Sequence, residues 1–163
     1  MKKKIYLGAG KDHRDGFVNV DSYPFPGIDI VADVTKGIPE LEDSCADYVY
    51  TQDFMEHLPP EGAVPVINEI WRLLCDGGIM EHYIPNAGSR NDFGSPSHLS
   101  HWNLQVFDHF NLESHRYKLD HDYEGFIGGF LPVTYELVNW QVEEDGINRA
   151  QSIHVVMKCV KSS

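Results

Sequence analysis

Short apolar runs separated by turn residues dominate the first half of the chain. Lys4–Leu7, Phe17–Asp21, Ile28–Ala32 and Ala46–Thr51 are of strand length and are bounded by glycine, proline or acids. Beyond them the period changes. Val64, Ile67, Ile70, Trp71 and Leu74 recur at helical spacing and predict a helix over about Pro60–Leu74, with Trp71 on its core stripe. Asp76-Gly77-Gly78 is expected to end that helix, a glycine taking the left-handed cap. Ile79–Ile84 predicts a fifth strand, stopped by Pro85-Asn86. A polar stretch rich in histidine and aromatics covers Ala87–Leu131. Thr134–Glu143 and Ser152–Val160, around the turn Glu144-Asp145-Gly146, predict an antiparallel hairpin.

The connections constrain this picture. Gly8–Gly16 alone separate the first two strands, and Ser22–Gly27 the next two. A parallel pair normally needs a crossover of about a dozen residues, usually helical. Six extended residues reach roughly 20 Å, about the length of a five-residue strand, so a return without a helix is just feasible. One face of such a sheet then lacks helical cover. An uncovered apolar face seeks a partner, which makes self-association as a homodimer an expectation.

Composition bounds the function. The 163 residues fit one domain with a real core. With 13 Lys and Arg against 25 Asp and Glu, the net charge of −12 opposes a general grip on nucleic-acid phosphate. Lys2-Lys3-Lys4 precedes too short an apolar run for a signal peptide or a spanning helix, and no other run reaches membrane length. The cysteines 45, 75 and 159 are odd in number and widely spaced, which fits reduced thiols in a cytoplasmic compartment.

Ile5 to Asp21, IYLGAGKDHRDGFVNVD, carries the most chemistry. A strand runs into Gly8-Ala9-Gly10 and a second strand ends on Asp21. Glycines allow backbone to approach a nucleotide-type ligand, and an acid at the next strand end accepts from ribose hydroxyls. The bland alternative for Gly8 and Gly10 is a tight strand exit. Asp33 ends the third strand in the same way. Two acids at successive strand ends favour a binding site over solvated turn residues.

LGAG, GFVNVD, DIVADVT, ADYVYTQDFMEHL, INEIWRLLCDGG and MEHYIPN, in that order, resemble the small class I methyltransferases that use S-adenosylmethionine (SAM). The likeness covers about residues 4–115 and is closest to a compact branch in which LGCG leads almost directly into an NVD strand. It implies a Rossmann-like α/β fold: a mostly parallel sheet, reduced helices between the first strands, and a C-terminal antiparallel hairpin. It implies SAM as cofactor, with Gly8, Ala9 and Gly10 facing its methionine part and Asp21 its ribose. Ser22 or Tyr23 would lie beside the adenine. Asp33 would accept from the adenine amino group and Val34 would donate its N–H to the ring. Gln52 and Asp53 would lie near the sulfonium. Glu56-His57-Leu58 matches the family's EHL signature. Tyr6, Ala9 and Asp53 depart from the usual acid or Asn, Cys and His, and Tyr6 leaves the SAM amino group without an assigned contact.

His98, in SPSH, stands where such proteins carry a DPTH-like turn and is the first candidate for a base acting on the acceptor. His101 is the second and Asp53 the third. Tyr83, Asn86 and Trp102 are candidates for lining the acceptor pocket. His98-Leu-Ser-His101 lies among His109, His115 and His121 with Asp108 and Asp120, but HxxH alone supplies no third ligand at a defined spacing, so no metal is assigned. The acceptor, a small molecule or a protein, is not encoded in the 87–131 loop in any legible way. Three alternatives remain: a non-catalytic module on the methyltransferase fold, a metal-dependent hydrolase built on the histidine-rich loop, and an NAD-binding domain. The last requires a helix after GxGxxG, where this chain has Lys11-Asp12-His13.

Overall fold

Ile5 and Leu7 are buried in the main core while Tyr6, between them, packs in a separate aromatic cluster. This parity of strand side chains gives the sheet two unlike faces. In the computed structural model, residues 2–118 and 125–161 are described. Seven strands, β1 (Lys3–Leu7), β2 (Val18–Asp21), β3 (Ile30–Val31), β4 (Ala46–Gln52), β5 (Leu74–Pro85), β6 (Gly129–Val142) and β7 (Asn148–Val160), form one sheet in the order β3-β2-β1-β4-β5-β7-β6. The first five pair in parallel, and β7 inserts antiparallel between β5 and β6. The β1–β2 and β2–β3 returns are made without a helix.

Helix α1 (Ala63–Leu73) covers one face. Val66, Ile67, Ile70 and Leu73 are all but inaccessible, at the spacing that turns one stripe of a helix to a core. Each such aliphatic side chain contributes about 1.5–3 kcal/mol of burial. Trp71 lies at the edge of this core and donates from Nε1 to the Val160 carbonyl at 3.0 Å, tying the helix to the end of β7.

Three sequence expectations need correction. The third strand is only two residues long, and Pro60–Gly62 forms a 3-10 turn before the helix proper. Asp76-Gly77-Gly78 does not cap α1. The helix ends at Leu73 and the chain passes straight into β5 through an extended Leu74. Gly77, at φ 74°, instead serves a bulge: Ala46 pairs with Leu74 but Tyr48 with Ile79, so three extra residues loop out of β5.

Among the described residues the opposite face has no helix, and it is not plainly apolar. Tyr6, Tyr48, Tyr50, Tyr83 and Phe17 gather there, with the Arg14 guanidinium 3.9 Å from the centre of the Tyr50 ring. Tyr48 donates its hydroxyl to Glu81, and Tyr50 donates to Gln52 Oε1 at 2.9 Å. The Arg14 loop and these polar tips do the work of the missing helices, leaving Tyr6 and Tyr50 under 5% exposed. Among the described residues, no helix is long and apolar enough to cross a membrane.

Candidate functional site

Parallel strands deliver their last residues to the same edge, and a cleft of about 300 Å³ opens there. Gly8 leaves β1, Asp21 and Ser22 leave β2, and Ala32, Asp33 and Val34 follow β3. Asp53, Phe54, His57 and Leu58, following β4, close the other side. Gly8 has φ 68°, and a Cβ built on it would stand 2.2 Å from the Phe54 ring. Only glycine therefore lets the strand exit pass beneath Phe54.

Asp21 is fixed by backbone. Its Oδ2 accepts from the Gly10 N–H and its Oδ1 from the Tyr23 N–H, each at 2.8 Å. Each oxygen keeps a further lone pair for a ligand donor. Asp33 caps the 3-10 turn Val34–Lys36, accepting from Thr35 N at 3.1 Å and Thr35 Oγ1 at 2.6 Å, with Lys36 Nζ 2.8 Å from Oδ2. The bonds from Lys36 and then Thr35 hold its carboxyl below the usual range. Asp53 turns the chain out of β4 with φ 47°, a conformation unusual for a side chain bearing a Cβ, while its N–H donates to the Tyr83 carbonyl.

A second pocket adjoins the cleft, and Asp53 and His57 line both. It also holds Glu56, His98, Arg90 and Asn91. His98 is brought here because the Leu99 and Ser100 N–H groups donate to the Glu56 carbonyl at 2.8 and 3.1 Å, and Ser100 Oγ donates to the Met55 carbonyl. The 97–100 loop is thus bolted to the Met55–His57 turn. The Glu56 side chain is 1% exposed, and neither carboxylate oxygen has a hydrogen-bond partner. Burial pushes its carboxyl up to about 7, and the charges of Asp53 and Asp92 add to the shift.

The sequence-derived candidates divide. Gly8, Asp21, Ser22, Asp33, Val34 and Asp53 line the cleft, and His98 lies in the adjoining pocket. Ala9 does not line it, being buried in the aromatic cluster, and Gly10 contributes by orienting Asp21. Gln52 is one residue past Thr51, so strand alternation sends it to the tyrosine face, where it accepts from Tyr50. Tyr6 also lies on that face. His101 turns away: its Nδ1 is 2.8 Å from Asp92 Oδ1 and its ring borders a different hollow with Trp102 and Phe110. None of the acceptor-pocket candidates lines either pocket. Tyr83 stacks on His154, Asn86 donates to the Ala150 carbonyl, and Trp102 is buried core. His121 and Asp120 lie outside the described residues. The sequence reading missed Phe54 and the burial of Glu56. The EHL turn marked the place of Glu56 but not its surroundings.

The sheet order, parallel over β1–β5 with β7 inserted antiparallel beside β6, is a Rossmann-like fold of the class I SAM-dependent methyltransferase type. Solved structures share this fold. A SAM-dependent methyltransferase from Archaeoglobus fulgidus matches with a TM-score of 0.71 at 16% identity, over 96% of this chain and 86% of its own. A 1,6-didemethyltoxoflavin-N1-methyltransferase from Burkholderia thailandensis, solved with bound 1,6-didemethyltoxoflavin and S-adenosylhomocysteine, matches with a TM-score of 0.60 at 12% identity, over 98% of this chain and 72% of its own. A putative methyltransferase from Haloferax volcanii, in complex with the Trm112 methyltransferase activator, gives 0.59 at 12% identity, over 98% and 83%. At such identities the likeness is one of fold. No protein-family model and no curated protein matches the sequence.

Proposed function

We propose that this protein transfers a methyl group from SAM to an acceptor held beside the Asp53 edge of the cleft. The observation that carries the reading is Asp21, anchored by two backbone N–H groups at the end of β2 with lone pairs left to accept from a ribose diol. The space left by the absent Cβ of Gly8 and the cleft volume suit a nucleoside with a flexible tail. Asp33 and Val34 would hold the adenine end. When bound, SAM supplies an electrophilic methyl on a sulfonium.

The protein's task is then placement. In-line displacement at a methyl group needs the acceptor in near-attack geometry, and the leaving thioether needs no proton. The pocket of Asp53, Glu56, His57 and His98 is the place for the acceptor, because it shares a wall with the cleft. An alcohol or amide acceptor must also lose a proton. Asp53 and His98 are the residues positioned to promote that loss. Calorimetric titration with SAM and S-adenosylhomocysteine tests the reading. Micromolar binding of both supports it, and a folded protein that binds neither refutes it.

A further inference from the structure

The adjoining pocket holds an unusual arrangement of electron pairs. His57 Nδ1 lies 3.1 Å from the Ser97 carbonyl oxygen and His98 Nδ1 lies 2.8 Å from the Asp92 carbonyl oxygen. A carbonyl can only accept, so each Nδ1 carries a proton, and as neutral imidazoles the two rings would offer Nε2 as the ligand atom. Both Nε2 atoms lie 3.9 Å from Glu56 Oε1. That is too long for a hydrogen bond. Three potential ligand atoms thus face one gap, all within 4.8 Å of one another. The two Glu56 oxygens, buried and without a hydrogen-bond partner, are costly to leave so unless a proton or a cation satisfies them.

We propose that Glu56, His57 and His98 form a binding site for one divalent transition-metal ion. Among the described residues they form the one group of three whose donor atoms all lie within 4.8 Å of one another. Donors about 2.0–2.2 Å from a metal stand roughly 3–3.4 Å apart, so the 3.9 Å edges must close by about 0.5–0.9 Å on binding. His57, on the rim and part-exposed, has room to make that adjustment. Backbone carbonyls behind both imidazoles fix tautomer and ring orientation, as outer hydrogen bonds do in established metal sites. Two imidazoles and a carboxylate suit Mn²⁺, Fe²⁺, Co²⁺ or Zn²⁺ better than Mg²⁺, which favours oxygen and gives up water reluctantly. Asp53 lines the same pocket and brings a second carboxylate to it.

The HxxH pair suggested by the sequence is not the ligand set. His101 is committed to Asp92, and His98 finds its partners some forty residues earlier in the chain. Three protein ligands leave coordination positions open toward the pocket. A hydroxyl held there would be acidified by the ion, so His98 would act as a ligand instead of as a base. This last consequence for the acceptor rests on the methyl-transfer reading. The binding of the ion does not.

The test uses the full chain with any affinity tag removed, stripped with chelator and titrated with Co²⁺ by visible absorption and with Mn²⁺ by calorimetry. One equivalent should bind. Glu56→Gln, His57→Ala and His98→Ala should each weaken the ion by at least the 10–100-fold typical of losing even an outer partner, roughly. His101→Ala should bind it as the parent does. Absence of stoichiometric Co²⁺ binding, or equal affinity in the His57→Ala and Glu56→Gln proteins, overturns the site. His57→Ala alters a rim residue, so misfolding would not explain its result. S-adenosylhomocysteine titrated in parallel separates the two readings. Its binding without metal binding sinks the metal site alone, and metal binding without it leaves the metal site standing and refutes methyl transfer.

Discussion

The N–H of Gly10 donates to Oδ2 of Asp21 at 2.8 Å, so the exit of β1 holds the acid at the end of β2. The short Gly8–Gly16 connection thereby does two things at once: it returns the chain in parallel and aims a carboxylate at the cleft. Removing that carboxylate should weaken SAM by about 1.5–3 kcal/mol, the worth of bonds to a charged group. Asp21→Asn, which keeps one acceptor oxygen, should lose less than Asp21→Ala by calorimetry. Unchanged affinity in a folded Asp21→Ala protein would exclude Asp21 from the ribose site.

Gly8 and Gly10 both have positive φ, at 68° and 55°, yet they should respond differently to alanine. A Cβ on Gly10 meets nothing within 4 Å, so Gly10→Ala carries only the left-handed penalty of about 1–2 kcal/mol. A Cβ on Gly8 strikes the Phe54 ring and must displace it from the cleft wall. Gly8→Ala should therefore cost about 1–3 kcal/mol more by thermal unfolding, and it should abolish SAM binding. Equal stabilities would show that Phe54 moves freely.

Much of this was legible in the sequence, and the misses have physical causes. Strand order, the helix-free returns and the acids after β2 and β3 follow from local patterns: apolar runs, loop lengths and what ends each run. Gln52 was misassigned although alternation gives its face, since Val49 and Thr51 point into the core and Tyr50 and Gln52 do not. Asp76-Gly77-Gly78 carries the signal of a helix cap and of a strand bulge alike, and only pairing with β4 chooses between them. Glu56 is harder. A glutamate in a short polar turn reads as solvated, and its burial arises because residues 97–100 pack onto that turn from forty positions away. No periodicity records such a closure.

His82 gives the protein a distinct acid response. It is fully buried against Thr51, whose Oγ1 lies 2.6 Å from Nδ1, and burial pushes its pKa down to about 3. The unfolded chain takes up a proton near pH 6.5, about the ordinary histidine value, and the folded one does not. The stability from neutral His82 is thus complete above pH 6.5 and is lost as pH falls toward 3, at about 1.4 kcal/mol per pH unit. Glu56, with its raised pKa, works in the opposite direction over part of this range. The comparison must therefore be between parent and variant. Thr51→Val with His82→Leu removes both polar partners and should leave the slope of unfolding free energy between pH 6 and 5 shallower on the acid side by about that amount. Parallel slopes would mean that His82 is protonated in the fold.

Glu69 and Arg72 fasten α1 to the chain between β3 and β4. Glu69 Oε1 accepts from the Ile38 N–H and from Arg72, both at 2.7 Å, and Oε2 accepts from Arg72 Nε at 2.8 Å. The guanidinium also donates to the Ile38 and Leu41 carbonyls and to Asp43. Burial alone would raise the Glu69 carboxyl, but the bonds from Arg72 and Ile38 outweigh it and hold the pKa below normal. The sign follows: this stability is present above about pH 4.3, the unfolded value, and is lost as pH falls through the lower folded one. A lysine cannot span two carbonyls and two carboxylates from one planar fork. Arg72→Lys should therefore cost about 2–4 kcal/mol in urea unfolding, close to Arg72→Met, because either change strands buried acceptors. Glu69→Gln, which still accepts from Ile38, should cost less and should flatten stability below pH 4.5. Full stability in Arg72→Lys would show that charge alone holds the helix in place, and that the geometry of the fork is incidental.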